Sequence, residues 1–196
     1  LTTFNLQEEH FREMLDGVAM DLEYDLYPSG SALTLYLHRQ GSVPALLAAE
    51  VSVYQEQRAT LRFAHEAGIL LKLFERLCQT RTDARHGRCY LPEDEMQRCG
   101  VDMGDLLAAQ TSDRVRQLFV LQGQRLQHYY QRAQELLPAS ERLAQTYLLI
   151  RMELAMALLA EIAADGYRLL EQHTQLTPLR KLWLAWRWRR TGRNRC

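Results

Sequence analysis

The sequence predicts an all-α fold, and three features carry that prediction. Apolar residues recur at three- and four-residue intervals over most of the chain, the spacing of helices with one buried face. No stretch alternates apolar and polar residues as a half-buried strand would. Five prolines and ten glycines punctuate 196 residues, too few for a turn-dense sandwich, a collagen or a low-complexity chain. With 47% hydrophobic residues the chain is too apolar for disorder. Its length suits a single domain hiding about 70% of its unfolded surface.

The elements follow in order. Phe4 to about Glu23 reads as a first helix with Phe11, Leu15, Val18 and Leu22 on one stripe. Tyr27-Pro28-Ser29-Gly30-Ser31 is a break, with Ser31 placed to cap the next helix. That helix runs from Ala32 to about Tyr54, and Pro44 predicts a kink or break near its middle. A third spans about Gln57 to Thr80, with Leu61, Ala64, Gly68, Leu71, Leu73 or Phe74, and Leu77 inward. Thr82 to Gly104, rich in charge and glycine, is expected to be a long polar loop. A fourth helix spans about Ser112 to Leu137, carrying Val115, Leu118, Phe119, Leu126 and Tyr129. Pro138-Ala139-Ser140 separates it from a fifth, about Glu141 to His173, the most apolar segment, with Tyr147, Ile150, Leu154, Leu158 and Ile162 on its stripe. The second, third and fifth helices are expected to line an apolar cleft near Leu71, Phe74, Tyr147, Ile150 and Leu154.

The balance of 24 basic and 24 acidic residues conceals an asymmetry. Seven of the basic residues (Arg180, Lys181, Arg187, Arg189, Arg190, Arg193 and Arg195) and all three tryptophans (Trp183, Trp186 and Trp188) lie at the C-terminus with no acid among them. The body keeps 17 basic against 24 acidic residues. Two regions follow: a helical domain over 1–179 and a basic, tryptophan-rich tail over 180–196. Such a tail suits an anionic membrane surface, or Trp183 and Trp186 close the core and the arginines are solvated. An acidic body argues against a nucleic-acid partner. No run of eighteen uncharged apolar residues predicts a spanning helix, and LTTFNLQEEH lacks a secretory pattern. Cys78, Cys89, Cys99 and Cys196 form no CxxC pair, and the six histidines show neither HxxxH nor HExxH spacing. Reduced thiols fit this pattern, and it offers no histidine-based metal site.

Two constellations could carry chemistry. Asp21 and Asp25 stand four apart, a spacing that can present two carboxylates to a hard cation such as Mg²⁺ or simply decorate a solvated helix. Glu75, Gln79 and Asp83 are spaced four and four, with Arg81, Arg85 and Arg88 close behind. Acids for Mg²⁺ beside arginines for phosphates would suit a diphosphate; a salt-bridged helix end is the plain alternative.

The second block makes a resemblance visible. Asp83-Ala-Arg-His-Gly-Arg-Cys-Tyr-Leu-Pro92 resembles the end of the second aspartate motif of the squalene/phytoene synthase family. Gly17-Val-Ala-Met-Asp-Leu-Glu23, Leu35-Tyr-Leu-His-Arg39 with Ala48-Ala-Glu50, Asp165-Gly-Tyr-Arg-Leu-Leu170 and Leu176 through Trp183 resemble further family segments in the same order; the Asp21/Asp25 pair and the tail lean toward the bacterial hopanoid branch. The resemblance implies an isoprenoid (terpenoid) synthase-like helical bundle, incomplete at its N-terminus. It implies Mg²⁺-dependent head-to-head condensation of two prenyl diphosphates through a presqualene-type diphosphate. It assigns Tyr36, Arg39, Arg85, Arg88, Tyr90 and Lys181 to substrate, and Asp83, Glu75, Asp21 and Asp25 to metal.

The departures matter as much. The family's first DxxxD motif would lie upstream of Gly17 and is not found in this chain. Gln79 stands where the second motif has its first aspartate, Cys78 where it has a diphosphate-binding arginine, Glu75 for an asparagine and Lys72 for a glutamine. Ala155 stands for a cavity tyrosine and Gln172 near an arginine. A neutral amide is a poor substitute for a carboxylate on Mg²⁺. The expectation is a family member impaired or inactive alone. The alternative is a pseudoenzyme that binds an isoprenoid lipid or acts as an assembly factor. Either would sit in the cytoplasm, peripheral to the inner membrane, with a second copy or another protein as partner.

Overall fold

The computed structural model describes residues 4, 6–52, 54–172 and 174–193, with side chains described through Arg187. Every regular element among them is helical. The chain runs α1 (Glu8–Glu23), α2 (Gly30–Leu37), a π turn (His38–Ser42), α3 (Val43–Glu50), α4 (Gln57–Arg85), α5 (Glu93–Cys99), α6 (Met103–Leu107), α7 (Asp113–Leu136), a 3₁₀ turn (Ala139–Glu141), α8 (Thr146–Ala164) and α9 (Pro178–Arg193). α4 is the axis: α3, the π turn, α7 and α8 all pack on it. Its Phe63, Ala64, Ala67, Leu70, Leu73 and Leu77 are buried among Leu118, Phe119 and Leu126 of α7 and Leu149 and Met152 of α8.

The ends follow local chemistry. Ser29, rather than Ser31, caps α2 by accepting from the Ala32 amide at 3.3 Å. Ser112 caps α7, and Asp102 with Asp105 forms a capping box on α6. Gly100 ends α5 at φ 64°, a left-handed conformation cheap for glycine.

Several expectations are corrected. The break near Pro44 is a π turn just before it. Pro44 lacks an N–H for the Gln40 carbonyl four residues back, and the Val43 amide reaches His38 O instead, one residue further. The third expected helix continues to Arg85, so Arg81, Asp83 and Arg85 are helical. The expected loop 82–104 contains α5. The fifth expected helix is only α8, and its buried stripe is Leu148, Leu149, Met152, Ala155, Leu159 and Ile162, rotated from the one the sequence suggested. Tyr147 is exposed. The stripe of α1 points away from the body: Leu15 is 70% and Leu22 84% exposed, with Phe11 and Val18 beside them, while Gly17 and Met20 face inward. Gly17 packs against the π turn, where a Cβ would meet side-chain atoms of Gln40 at 2.5 Å and Arg39 at 2.8 Å.

α9 packs on α8, with Arg180 paired to Glu161, and exposes Leu179, Leu182, Trp183 and Trp186. Among the described residues no helix is long and apolar enough to cross a membrane. Cys78, Cys89 and Cys99 are free thiols. Cys196, Arg195 and the side chains of Trp188, Arg189, Arg190 and Arg193 lie outside what is described.

Candidate functional site

The segment after α1 and the segment after α4 are stitched side by side. The Cys89 amide donates to Asp25 O at 2.7 Å and the Glu93 amide to Tyr27 O at 2.9 Å, around a parallel bridge of Leu26 with Cys89. This stitching brings the segment Gly17–Glu23 onto the segment Asp83–Pro92, 60 or more residues apart in sequence. Tyr27, Tyr36 and Tyr90 then pack ring on ring, with centroids 5.0–5.8 Å apart. Tyr90 donates its hydroxyl to Asp21 Oδ1 at 2.7 Å. Burial first, and then neighbouring negative groups, raise the Tyr27 and Tyr36 hydroxyl pKa values well above the ordinary tyrosine range.

Beside these rings opens a cleft of about 490 Å³ lined by Asp21, Tyr36, Gln40, Lys72, Arg76, Asp83, His86, Arg88 and Tyr90. Its floor is α4. One face of that helix carries Lys72, Glu75, Arg76, Gln79 and Asp83, and Arg76 is the hub. Its Nη1 donates to Asp83 Oδ2 at 3.3 Å, and its Nη2 to Gln79 Oε1 at 2.7 Å and to Glu75. Lys72 Nζ donates to Glu75 Oε1 at 3.0 Å. The guanidinium lies 4.7 Å from the Tyr90 ring centroid, and Lys72 lies 5.9 Å from that of Tyr36. The Arg76 and Asp83 side chains are each only 13% exposed. Burial pushes the Glu75 carboxyl up, but hydrogen bonds and charge from Arg76 and Lys72 outweigh it, so Glu75 is held below the usual range. At Asp83 burial prevails over Arg76, and its pKa is raised.

A second, smaller hollow of about 180 Å³ adjoins the cleft, lined by Pro44, Ala45, Ala48, Leu71, Leu148 and Tyr147 among others, and shares Gln40 and Lys72 with it. The two backbones bordering it meet at Gly41 and Gly68. Of the residues expected around an apolar cleft, Leu71 and Tyr147 line this hollow; Phe74, Ile150 and Leu154 do not.

The structure gathers Asp21, Tyr36, Asp83, Arg88 and Tyr90 at the cleft, and Glu75 at the hollow beside it. It leaves four expected residues elsewhere. Asp25 lies past the end of α1, so it cannot share a helical face with Asp21. Arg39 turns to Asp16, 3.8 Å away. Arg85 is exposed at the end of α4, and Lys181 is exposed on α9. Arg81 donates to the Leu170 carbonyl. The sequence reading did not single out Arg76. Its signal was present: seven residues before Asp83 is two helical turns, which puts both on one face.

The donor set does not fit a divalent metal. Among the described residues no three histidine, cysteine or acidic side chains converge as a metal cluster. Glu75 and Asp83 are engaged by Lys72 and Arg76, and Asp21 accepts from Tyr90. Two polar atoms here are buried without a partner, the Tyr27 hydroxyl and Arg76 Nε. A guanidinium is a donor and cannot ligate a cation.

A family model described as squalene/phytoene synthase matches residues 1–183. The chain is 27% identical over 206 residues to 15-cis-phytoene synthase of Synechocystis sp., covering 97% of this chain and 60% of that protein. It is 25% identical over 187 residues to the chloroplastic phytoene synthase 2 of Solanum lycopersicum, covering 93% and 60% respectively. The chain thus spans about 60% of the length of these relatives. Among solved structures, a ligand-bound dehydrosqualene synthase superposes with a TM-score of 0.86 at 18% identity, over 97% of this chain and 67% of the other. Squalene synthase HpnC from Alicyclobacillus acidocaldarius superposes with a TM-score of 0.73 at 23% identity, over 84% and 62%. At these identities the superpositions establish a shared all-α fold.

Proposed function

Because the chain belongs to the squalene/phytoene synthase family, whose reaction joins two prenyl diphosphates head to head, we propose that it binds a prenyl diphosphate and does not complete that condensation by itself. The observation that carries the proposal is the junction of two unlike hollows. The polar cleft offers Lys72, Arg76 and Arg88 to a diphosphate, and the adjoining hollow, which Glu75 and Arg151 also line, offers Ala45, Ala48, Leu71 and Leu148 to the first part of a hydrocarbon. Gln40 and Lys72 stand at the boundary, where the two halves of such a ligand join.

The family's chemistry is divalent-metal dependent, and a metal supplies the pull on a departing diphosphate. In this chain the expected ligands Asp83 and Glu75 are engaged by Arg76 and Lys72, and Gln79 brings an amide where a carboxylate belongs. The chain's own residues can hold and orient a diphosphate. They do not gather the carboxylates that the departure needs.

The proposal extends to location. α9 presents Leu179, Leu182, Trp183 and Trp186 to solvent in a segment with no acidic residue. That composition suits an anionic lipid surface, where prenyl chains partition.

The test scores binding and turnover separately. The full chain is given farnesyl diphosphate and Mg²⁺, with calorimetry for binding and product extraction for condensation. Binding without a squalene-type product is expected. Ready turnover would reject the proposal, and so would absence of binding under every condition.

A further inference from the structure

We infer that this cleft is a metal-independent anion site, in which Lys72 and Arg76 stand in the space that divalent ions would otherwise occupy between carboxylates. The inference rests on the prenyl-diphosphate reading and deepens it, since it says how the charged end is recognised.

Geometry fixes the two cations before any ligand arrives. Arg76 is held by Glu75, Gln79 and Asp83 and lies against the face of Tyr90; Lys72 is held by Glu75 near the face of Tyr36. Their side chains are 13% and 14% exposed, so neither sweeps through solvent as a surface lysine or arginine does. A divalent ion entering between Glu75 and Asp83 would have to displace both. Two buried positive groups would then face it unpaired, a costly arrangement. An anion faces no such exclusion. Lys72 has donors beyond the one on Glu75, and the Arg76 and Arg88 side chains line the same cleft. Guanidinium donors match phosphate oxygens in geometry as well as charge.

The opposing term is real. Asp21, Glu75 and Asp83 line or border the same space, and three carboxylates against three cations leave the empty cleft near neutrality. Affinity for a bare anion is therefore modest.

Calorimetry of the full chain with inorganic pyrophosphate, in excess EDTA and in excess Mg²⁺, decides the matter. Binding in EDTA, not tightened by Mg²⁺, is expected. Arg76→Gln should weaken it about tenfold or more, equivalent to about 1.4 kcal/mol. Arg88→Gln, at a more accessible position that perturbs the fold less, should weaken it in the same direction. Binding that requires Mg²⁺ overturns the inference, as does binding indifferent to both substitutions, which would place the anion elsewhere, for example on α9. Farnesyl diphosphate is run in parallel. If it binds only with Mg²⁺, the inference fails and the prenyl-diphosphate reading stands. If it binds under neither condition, that reading fails first.

Discussion

Gly68→Ala is a severe test, because two well-known effects on it have opposite signs. Gly68 lies in the middle of α4, where alanine is worth about 1 kcal/mol more than glycine in helix propensity. The structure opposes that gain. A Cβ at Gly68 would sit 2.5 Å from Ser42 Cα and 2.6 Å from Gly41 C, and closer still to Gly41 O. All three are backbone atoms of the π turn, so no side chain can rotate aside. Ser42 Oγ also ties the turn to α4 through His65 O at 2.8 Å. Relief requires moving the turn off α4, and overpacking of this kind costs up to about 3 kcal/mol. Against the propensity gain, a net loss of up to about 2 kcal/mol remains. For a chain of this size that is a fall of up to about 8 °C in Tm, read by circular dichroism at 222 nm. Gly41→Ala pushes on the same contact from the other side, through Gly68 O. One separation relieves both, so the double variant should lose less than the sum. Pyrophosphate affinity should fall too, because Gln40 and Lys72 border this crossing. An alanine variant as stable as the parent would refute the reasoning.

Three further outcomes follow from the same geometry. Glu141 is buried and accepts from the Gln55 and Glu56 amides at 2.9 and 3.0 Å; Glu141→Ala should cost about 1–3 kcal/mol and Glu141→Gln less, and equal denaturant midpoints for all three proteins would sink this. Burial pushes the Cys78 thiol up to about 12 and the Cys89 thiol up to about 11 from 9.0, so at pH 8 the Cys78 thiolate is about a thousandfold scarcer than an ordinary one. Iodoacetamide should modify Cys78 slowly in the native chain, faster as pH rises, and readily in denaturant; equal native and denatured rates would contradict it. Removing 180–196 should abolish flotation on anionic vesicles, and salt should weaken it in the intact chain; flotation unchanged by truncation or salt would leave α9 as a helix that only packs on α8.

The sequence by itself determined the all-α class, the break at Tyr27–Ser31 and the segments that carry the family resemblance, but not α5 or the ends of α4 and α8. These depend on local matters: periodicity, caps, proline, and residue order along a motif. It also showed that Gln79 is an amide where a carboxylate was expected. The tertiary structure decided the rest. A stripe such as Phe11, Leu15, Val18 and Leu22 states that a face is apolar, not what lies against it; packing put Gly17 and Met20 inward, with Gln40 and Arg39 of the π turn close against the glycine. The π turn itself arises from Pro44 and the close contact of Gly41 with Gly68, and a helical repeat in the sequence does not register a one-residue shift of hydrogen bonds. Asp21 and Asp83 become neighbours only when backbone hydrogen bonds stitch the two segments that carry them. Arg76 was visible in the sequence as one arginine among many. Its place between Glu75, Gln79 and Asp83, under Tyr90, is what turns a run of expected metal ligands into a set of ion pairs. That outcome depends on distances and burial, because charge at close range in a low dielectric prevails over any preference written in residue type.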